Sequence, residues 1–278
     1  MKASEQILSR MKSHKTLLCC GLDPDISKMP KELIEKNISD ENKILEFLNG
    51  VIDVTSSHVC AYKIQKAFFD IFPDGHNALK ETVSYIHRYY PGIPVIIDCK
   101  IGDIENTMEA YTKNLFEIIQ ADGVVANPYM GDDVIKPLSL FTDKAVLVLV
   151  KTSNPSSNII QDVRLENGQL FWHHVLTLVV NRWNNNSNMI PVISTTGNVN
   201  LKEIRNMVPD NMPIFLAGIG AQGRSYSNLT QLINSNNTGV IINSSRSILY
   251  PLSHNSWQDA VEEEAVKLKN SLNEAIEK

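Results

Sequence analysis

Eight short runs of apolar and β-branched residues, at 16–22, 59–65, 94–100, 123–129, 145–151, 189–195, 213–218 and 239–245, constrain this chain more than any other feature. They are continuous rather than alternating. An alternating strand has one wet face, whereas a continuous apolar strand is covered on both, as in parallel sheets flanked by helices. Between the runs lie segments of helical period. Met108, Tyr111, Leu115 and Ile118 are spaced three, four and three. Trp257, Val261, Ala265, Leu268, Leu272 and Ile276 fall at four, four, three, four and four, with Glu and Lys between them. Eight strand and helix repeats without a linker-like shift in composition predict one (β/α)8 TIM barrel over residues 1–278, with a doubly wound open sheet as the alternative. The polar stretch 184–188 reads as a solvated loop.

Composition narrows the function classes. With 26 basic against 31 acidic residues, a net charge of −5 and no Lys/Arg block, the chain lacks the electrostatic footprint of a nucleic-acid binder. No apolar run reaches the roughly 20 residues that span a bilayer, and the N-terminus has no apolar core of a secretory signal, so a cytoplasmic protein is expected. Cys19, Cys20, Cys60 and Cys99 form no CxxC pair and sit inside apolar runs, which reads them as small buried hydrophobes. Adjacent His173 and His174 point to different helix faces, and no metal site is expected.

In a barrel of this kind the active site lies at the C-terminal strand ends. Polar residues concentrate there: Asp23 after the first run, Lys63 and Gln65 in the second, Asp98 and Lys100 in the third, Lys151, Thr152 and Ser153 at the fifth, and Ser245 and Arg246 at the eighth. The sharpest cluster is Asp98-Cys-Lys100-Ile-Gly-Asp103. Residues two apart on a strand share a face, so Asp98 and Lys100 point together. Alone they fit a buried ion pair closing the barrel. With Lys63 on the neighbouring strand and Asp103 beyond, they form a charge network too costly to desolvate for stability alone.

Gly218-Ile-Gly220-Ala-Gln-Gly223 has the literal form GxGxxG, but a dinucleotide site places it in the first βα unit with an acidic residue ~20 positions on, where this chain has Asn243 and Ser244. In a barrel, the loops after strands seven and eight instead offer backbone N–H groups to a phosphate, and Arg246 adds a planar cationic fork. Lys151-Thr-Ser153-Asn154-Pro155 is a polar turn able to read the edge of a heterocycle, or simply a turn.

Taken together, LCCGLDPD, AYKIQKAFF, DCKIGDIENT, VKTSNP, GIGAQG and NSSRSILY, in this order along nearly the whole chain, resemble the motifs of the orotidine 5′-phosphate decarboxylase family in its longer bacterial and protist branch, type 2. The resemblance implies conversion of orotidine 5′-monophosphate to uridine 5′-monophosphate (UMP) and CO2 in de novo pyrimidine biosynthesis, without metal or organic cofactor. It implies Lys63, Asp98, Lys100 and Asp103 as the charged catalytic tetrad, with Asp103 and Thr107 reaching the neighbouring site of a homodimer. Asp23 matches the ribose-binding aspartate and Ser153 the pyrimidine contact, with Thr152 as the neighbouring candidate. Gln222 and Arg246 match the phosphate-binding pair, with Gly223 beside them, and 220–226 is the expected lid. Ile101 and Glu105 depart from frequent family residues, and tuning rather than loss of activity is expected from them. Ala217 stands for a frequent proline and Ser245 for a frequent glycine, the latter placing a side chain near the phosphate, as an added donor or as crowding. Two other readings compete: metal-dependent chemistry on sugar phosphates, which normally wants a glutamate where this chain has Lys63, and a phosphate-binding module without turnover.

Overall fold

In the computed structural model, residues 1–195, 199–217, 226–252 and 256–277 are described. All eight apolar runs form strands: β1 Leu18–Leu22, β2 Ala61–Gln65, β3 Val95–Ile101, β4 Gly123–Ala126, β5 Ala145–Lys151, β6 Met189–Ser194, β7 Ile214–Ala217 and β8 Val240–Ser244. They pair in parallel in sequence order, and β8 closes on β1. The architecture is a (β/α)8 barrel, which excludes the open sheet.

Closure explains the apolar runs. Ile96 and Ile97 are neighbours on β3 and both are wholly buried, one on each side of the sheet. Outer cover comes from helices such as Asp40–Thr55 after β1, Gly75–Tyr89 after β2 and Trp257–Glu277 after β8. Ser39 caps the first of these, its side chain accepting from Asn42 N. In the last, Val261, Ala265 and Leu272 are buried while Trp257, Leu268 and Ile276 pack partly buried against the core. Helix Ala3–Ser13 covers the opposite end from the strand termini described below. Arg10 Nη2 donates to Ser56 O and Val59 O ahead of β2, and Ala3 N donates to Asp143 O ahead of β5.

The stripe Met108, Tyr111, Leu115, Ile118 is helical, as its period predicts, but only Met108 and Leu115 are buried, while Tyr111 and Ile118 are exposed. Helix Glu105–Thr112 passes into a π-helical stretch, Lys113–Ile118, whose wider turn rotates the following residues and buries Phe116 and Ile119 instead. The stretch 184–188 is a loop, with Asn185 and Ser187 exposed, but its last residue departs from the expected solvation. Asn188 is wholly buried and its Nδ2 donates to Phe141 O and Lys144 O, while Asn184 Oδ1 accepts from Met189 N at the start of β6. Asparagine there supplies hydrogen bonds that the backbone cannot make for itself.

The cysteines are free thiols, and Cys19, Cys20 and Cys60 are buried as expected. Cys99 is only half-buried and lines a cavity outside the barrel. Burial pushes the Cys60 thiol up to about 12 and the Cys99 thiol up to about 11, away from thiolate chemistry. Among the described residues no helix is long and apolar enough to cross a membrane.

Candidate active site

Strand register brings the charged residues together at the C-terminal mouth of the barrel. Gly21 pairs with Lys63, and Gln65, two residues past Lys63, pairs with Asp98. Lys63 and Asp98 therefore meet diagonally across β2 and β3. Lys63 Nζ lies 3.4 Å from Asp98 Oδ2 and 3.5 Å from Asp23 Oδ1 at the end of β1. Lys63 is 6% exposed and Asp98 8%. Burial alone would push the Lys63 ammonium down, but the two carboxylates outweigh it and hold its pKa above the ordinary lysine value. An ammonium thus occupies the space between the two acids, the position that a divalent cation's charge would require.

Lys100 completes the chain of charges. Its Nζ donates to Asp98 Oδ1 at 2.6 Å, while its side chain remains 47% exposed toward the mouth. The backbone that aims it is irregular. Between Ile97 and Ile101, β3 advances four residues while β4 advances two, from Val124 to Ala126, and Lys100 sits in the left-handed region at φ 45°. For a non-glycine residue that conformation costs on the order of 1–3 kcal/mol, a cost retained where the surroundings fix a functional side chain.

Asp23 is held from two sides. Its Oδ1 accepts from Gln65 N at 3.3 Å. Tyr250, after β8, accepts from Asp25 N at 2.6 Å and donates to Asp23 O at 3.4 Å through its hydroxyl, while its ring stacks on Phe47 at 5.6 Å. Tyr250 lies inside the NSSRSILY motif, but no sequence spacing ties it to Asp23; only the closure of β8 on β1 does.

Other expected site residues fall elsewhere. Asp103 is half-buried, and its Oδ1 accepts from the adjacent Ile104 N at 2.8 Å. It makes no ion pair with the lysines among the described residues. Thr107 lies exposed on helix Glu105–Thr112, beside a cavity of about 550 Å3 that Gln65, Cys99 and Tyr111 also line. Arg246 is exposed at the start of the short helix Arg246–Leu249 and has no ion pair among the described residues. Ser153 is half-exposed just past β5. Gln222 and Gly223 lie outside the described residues, as does most of 220–226. Ser245 turns back onto β1: Asn243 Nδ2 donates to its Oγ at 3.2 Å, and that Oγ stands 1.8 Å from where a Cβ on Gly21 would be.

A buried and an exposed lysine bridged by one carboxylate at the C-terminal mouth of a parallel barrel mark the active-site end of a barrel enzyme. A sequence model of the "Orotidine 5'-phosphate decarboxylase / HUMPS family" matches residues 16–251, and the chain belongs to that family. It is 36% identical over 273 residues to the orotidine 5′-phosphate decarboxylase of Janthinobacterium sp. (strain Marseille), covering 98% of each chain. It is likewise 36% identical over 275 residues to that of Ralstonia nicotianae, covering 99% of each. Among solved structures it superimposes on the OMP decarboxylase of Leishmania donovani with a TM-score of 0.82, at 29% identity and over 100% of both chains.

Proposed function

We propose that this protein decarboxylates orotidine 5′-monophosphate to UMP, with Lys100 as the group that meets the reacting carbon. The observation that carries this reading is the Lys63, Asp98, Lys100 charge chain at the barrel mouth.

The reaction demands such an array. Breaking the bond between C6 and its carboxylate leaves the electron pair on C6 in the plane of the ring, outside the π system and without an electron sink. A preorganised positive charge is then the main stabilising device. The Lys100 ammonium supplies it and passes its proton to C6 as CO2 departs, and water restores the proton afterwards. Asp98 aims that ammonium through the 2.6 Å hydrogen bond. Lys63, between Asp23 and Asp98, offsets their mutual repulsion and lets two carboxylates share a desolvated mouth. No step calls on a metal or an organic cofactor.

The remaining roles are those that membership of the family suggests. Asp23, fixed by Gln65 N and Tyr250, faces the ribose hydroxyls, and Ser153 meets the pyrimidine edge. Arg246, free of protein partners among the described residues, receives the phosphate with Gln222 and Gly223. Phosphate binding far from the broken bond supplies energy for enclosing the ring. Asp103 and Thr107 serve the neighbouring site of a homodimer. This fits the absence of an ion pair from Asp103 to its own lysines among the described residues and the apolar surface beside it, Ile104 at 59% and Tyr111 at 41% exposure. The test is loss of ultraviolet absorbance from orotidine 5′-monophosphate with purified protein in excess EDTA.

A further inference from the structure

The turn after β5 is clamped from behind by a short helix, Asn158–Gln161, that sequence patterning leaves without a role. Gln161 reaches back to Thr152 twice: its Oε1 accepts from Thr152 N at 2.9 Å, and its Nε2 donates to Thr152 Oγ1 at 2.8 Å. That hydroxyl donates onward to Asn154 Oδ1 at 2.6 Å, and Asn154 Nδ2 donates to Ser156 Oγ at 3.2 Å. One residue beyond Gln161, Asp162 Oδ1 accepts from Lys151 Nζ at 2.5 Å, where the lysine side chain is 4% exposed. The residues on both sides of Ser153 are therefore tied down. Ser153 itself has no hydrogen bond from its N–H or its hydroxyl to any described residue.

The geometry points to Gln161 as a positioning residue that commits Thr152 to the protein and leaves Ser153 as the group that reads the ring. This rests on the orotidylate reading of the site. Thr152 has no donor left for the ring without giving up this network, because its N–H and its O–H are both spent on the protein. Ser153 offers a fixed donor in its N–H and an acceptor in its hydroxyl. A uracil-type ring presents an acceptor at O4 beside a donor at N3, which complements that pair. A cytosine-type ring presents a donor at the 4-amino group, which opposes the fixed N–H. Gln161 thus sets which pyrimidine is accepted, by holding the turn rather than by touching substrate.

The test is calorimetric binding of UMP and cytidine 5′-monophosphate (CMP) to wild type, Gln161→Ala, Thr152→Val and Ser153→Ala. Gln161→Ala is expected to cut the preference for UMP over CMP about tenfold, the worth of one well-made hydrogen bond, with affinity for CMP nearly unchanged. Thr152→Val keeps the backbone bond to Gln161 and loses the hydroxyl, so a smaller loss in the same sense is expected; it carries the test if Gln161→Ala folds poorly. Ser153→Ala keeps the N–H that opposes the 4-amino group and loses only the hydroxyl acceptor for N3, so a partial loss of the preference is expected. If Gln161→Ala and Thr152→Val discriminate as well as wild type, or weaken both nucleotides alike, the positioning role is overturned. A wild type that binds UMP and CMP equally would instead overturn the substrate reading beneath it.

Discussion

Asp98 holds Lys100 at 2.6 Å through one carboxylate oxygen while the other faces the buried Lys63 at 3.4 Å. A single acid thus bridges two ammonium groups that would otherwise repel each other at the mouth of the barrel, and Asp23 supplies the second negative charge beside Lys63. Asp98→Asn keeps the shape and removes the charge. Turnover is expected to fall by about 10²-fold or more, the scale seen when one preorganised electrostatic partner is lost. Steady-state kinetics with circular dichroism as the fold control would check this; unchanged kcat would remove Asp98 from the account.

The raised pKa of Lys63 fixes a sign for stability against pH. A lysine held above its unfolded value of 10.5 contributes fully below that value, and the contribution drains away as pH climbs through the higher folded one. Urea unfolding of wild type and Lys63→Met should therefore differ by a constant amount from pH 7 to 9, with the gap closing only in strong alkali. A gap that closes near neutrality would mean that Asp23 and Asp98 do not keep this ammonium charged.

Gly21 and Ser245 share one space. A methyl group on Gly21 would stand 1.8 Å from Ser245 Oγ and 3.3 Å from Asn243 Nδ2, so Gly21→Ala must displace the exit of β8 that leads to Arg246. Overpacking of this kind costs about 1–3 kcal/mol. KM should rise, and adding Ser245→Gly should recover most of both losses. A double variant no better than Gly21→Ala alone would place the damage elsewhere.

Tyr250→Phe tests the tether on Asp23. The ring stack on Phe47 survives, while the bonds to Asp25 N and Asp23 O are lost. Stability should drop by about 0.5–1.5 kcal/mol and KM should rise more than kcat falls. A fall in kcat alone would argue that Asp23 acts on the chemistry rather than on binding.

The strands and the charged mouth were legible because continuous apolar runs have few other uses and because polar residues at their C-terminal ends need a reason. The route by which Lys100 reaches Asp98 was not. Period-two alternation puts the two side chains on one face, but the observed backbone leaves the β4 register and turns left-handed at Lys100, a local event that no residue pattern announces. Tyr250 and Gln161 were silent for a different reason. Each acts on a residue distant in sequence or across a turn, Tyr250 through barrel closure and Gln161 through a four-residue helix too short to have a period. The polar stretch at 184–188 is the loop its composition marks, but composition does not tell that Asn188 at its end is buried to satisfy two carbonyls.

Lys100 carries the central claim, so the most direct measurement is decarboxylation of orotidine 5′-monophosphate followed by absorbance, in excess EDTA, for wild type and Lys100→Ala. Wild type is expected to consume the substrate at the same rate with or without the chelator, while Lys100→Ala, still binding UMP, turns over none within detection. Turnover by Lys100→Ala near the wild-type rate, or loss of wild-type activity to EDTA, would contradict the account.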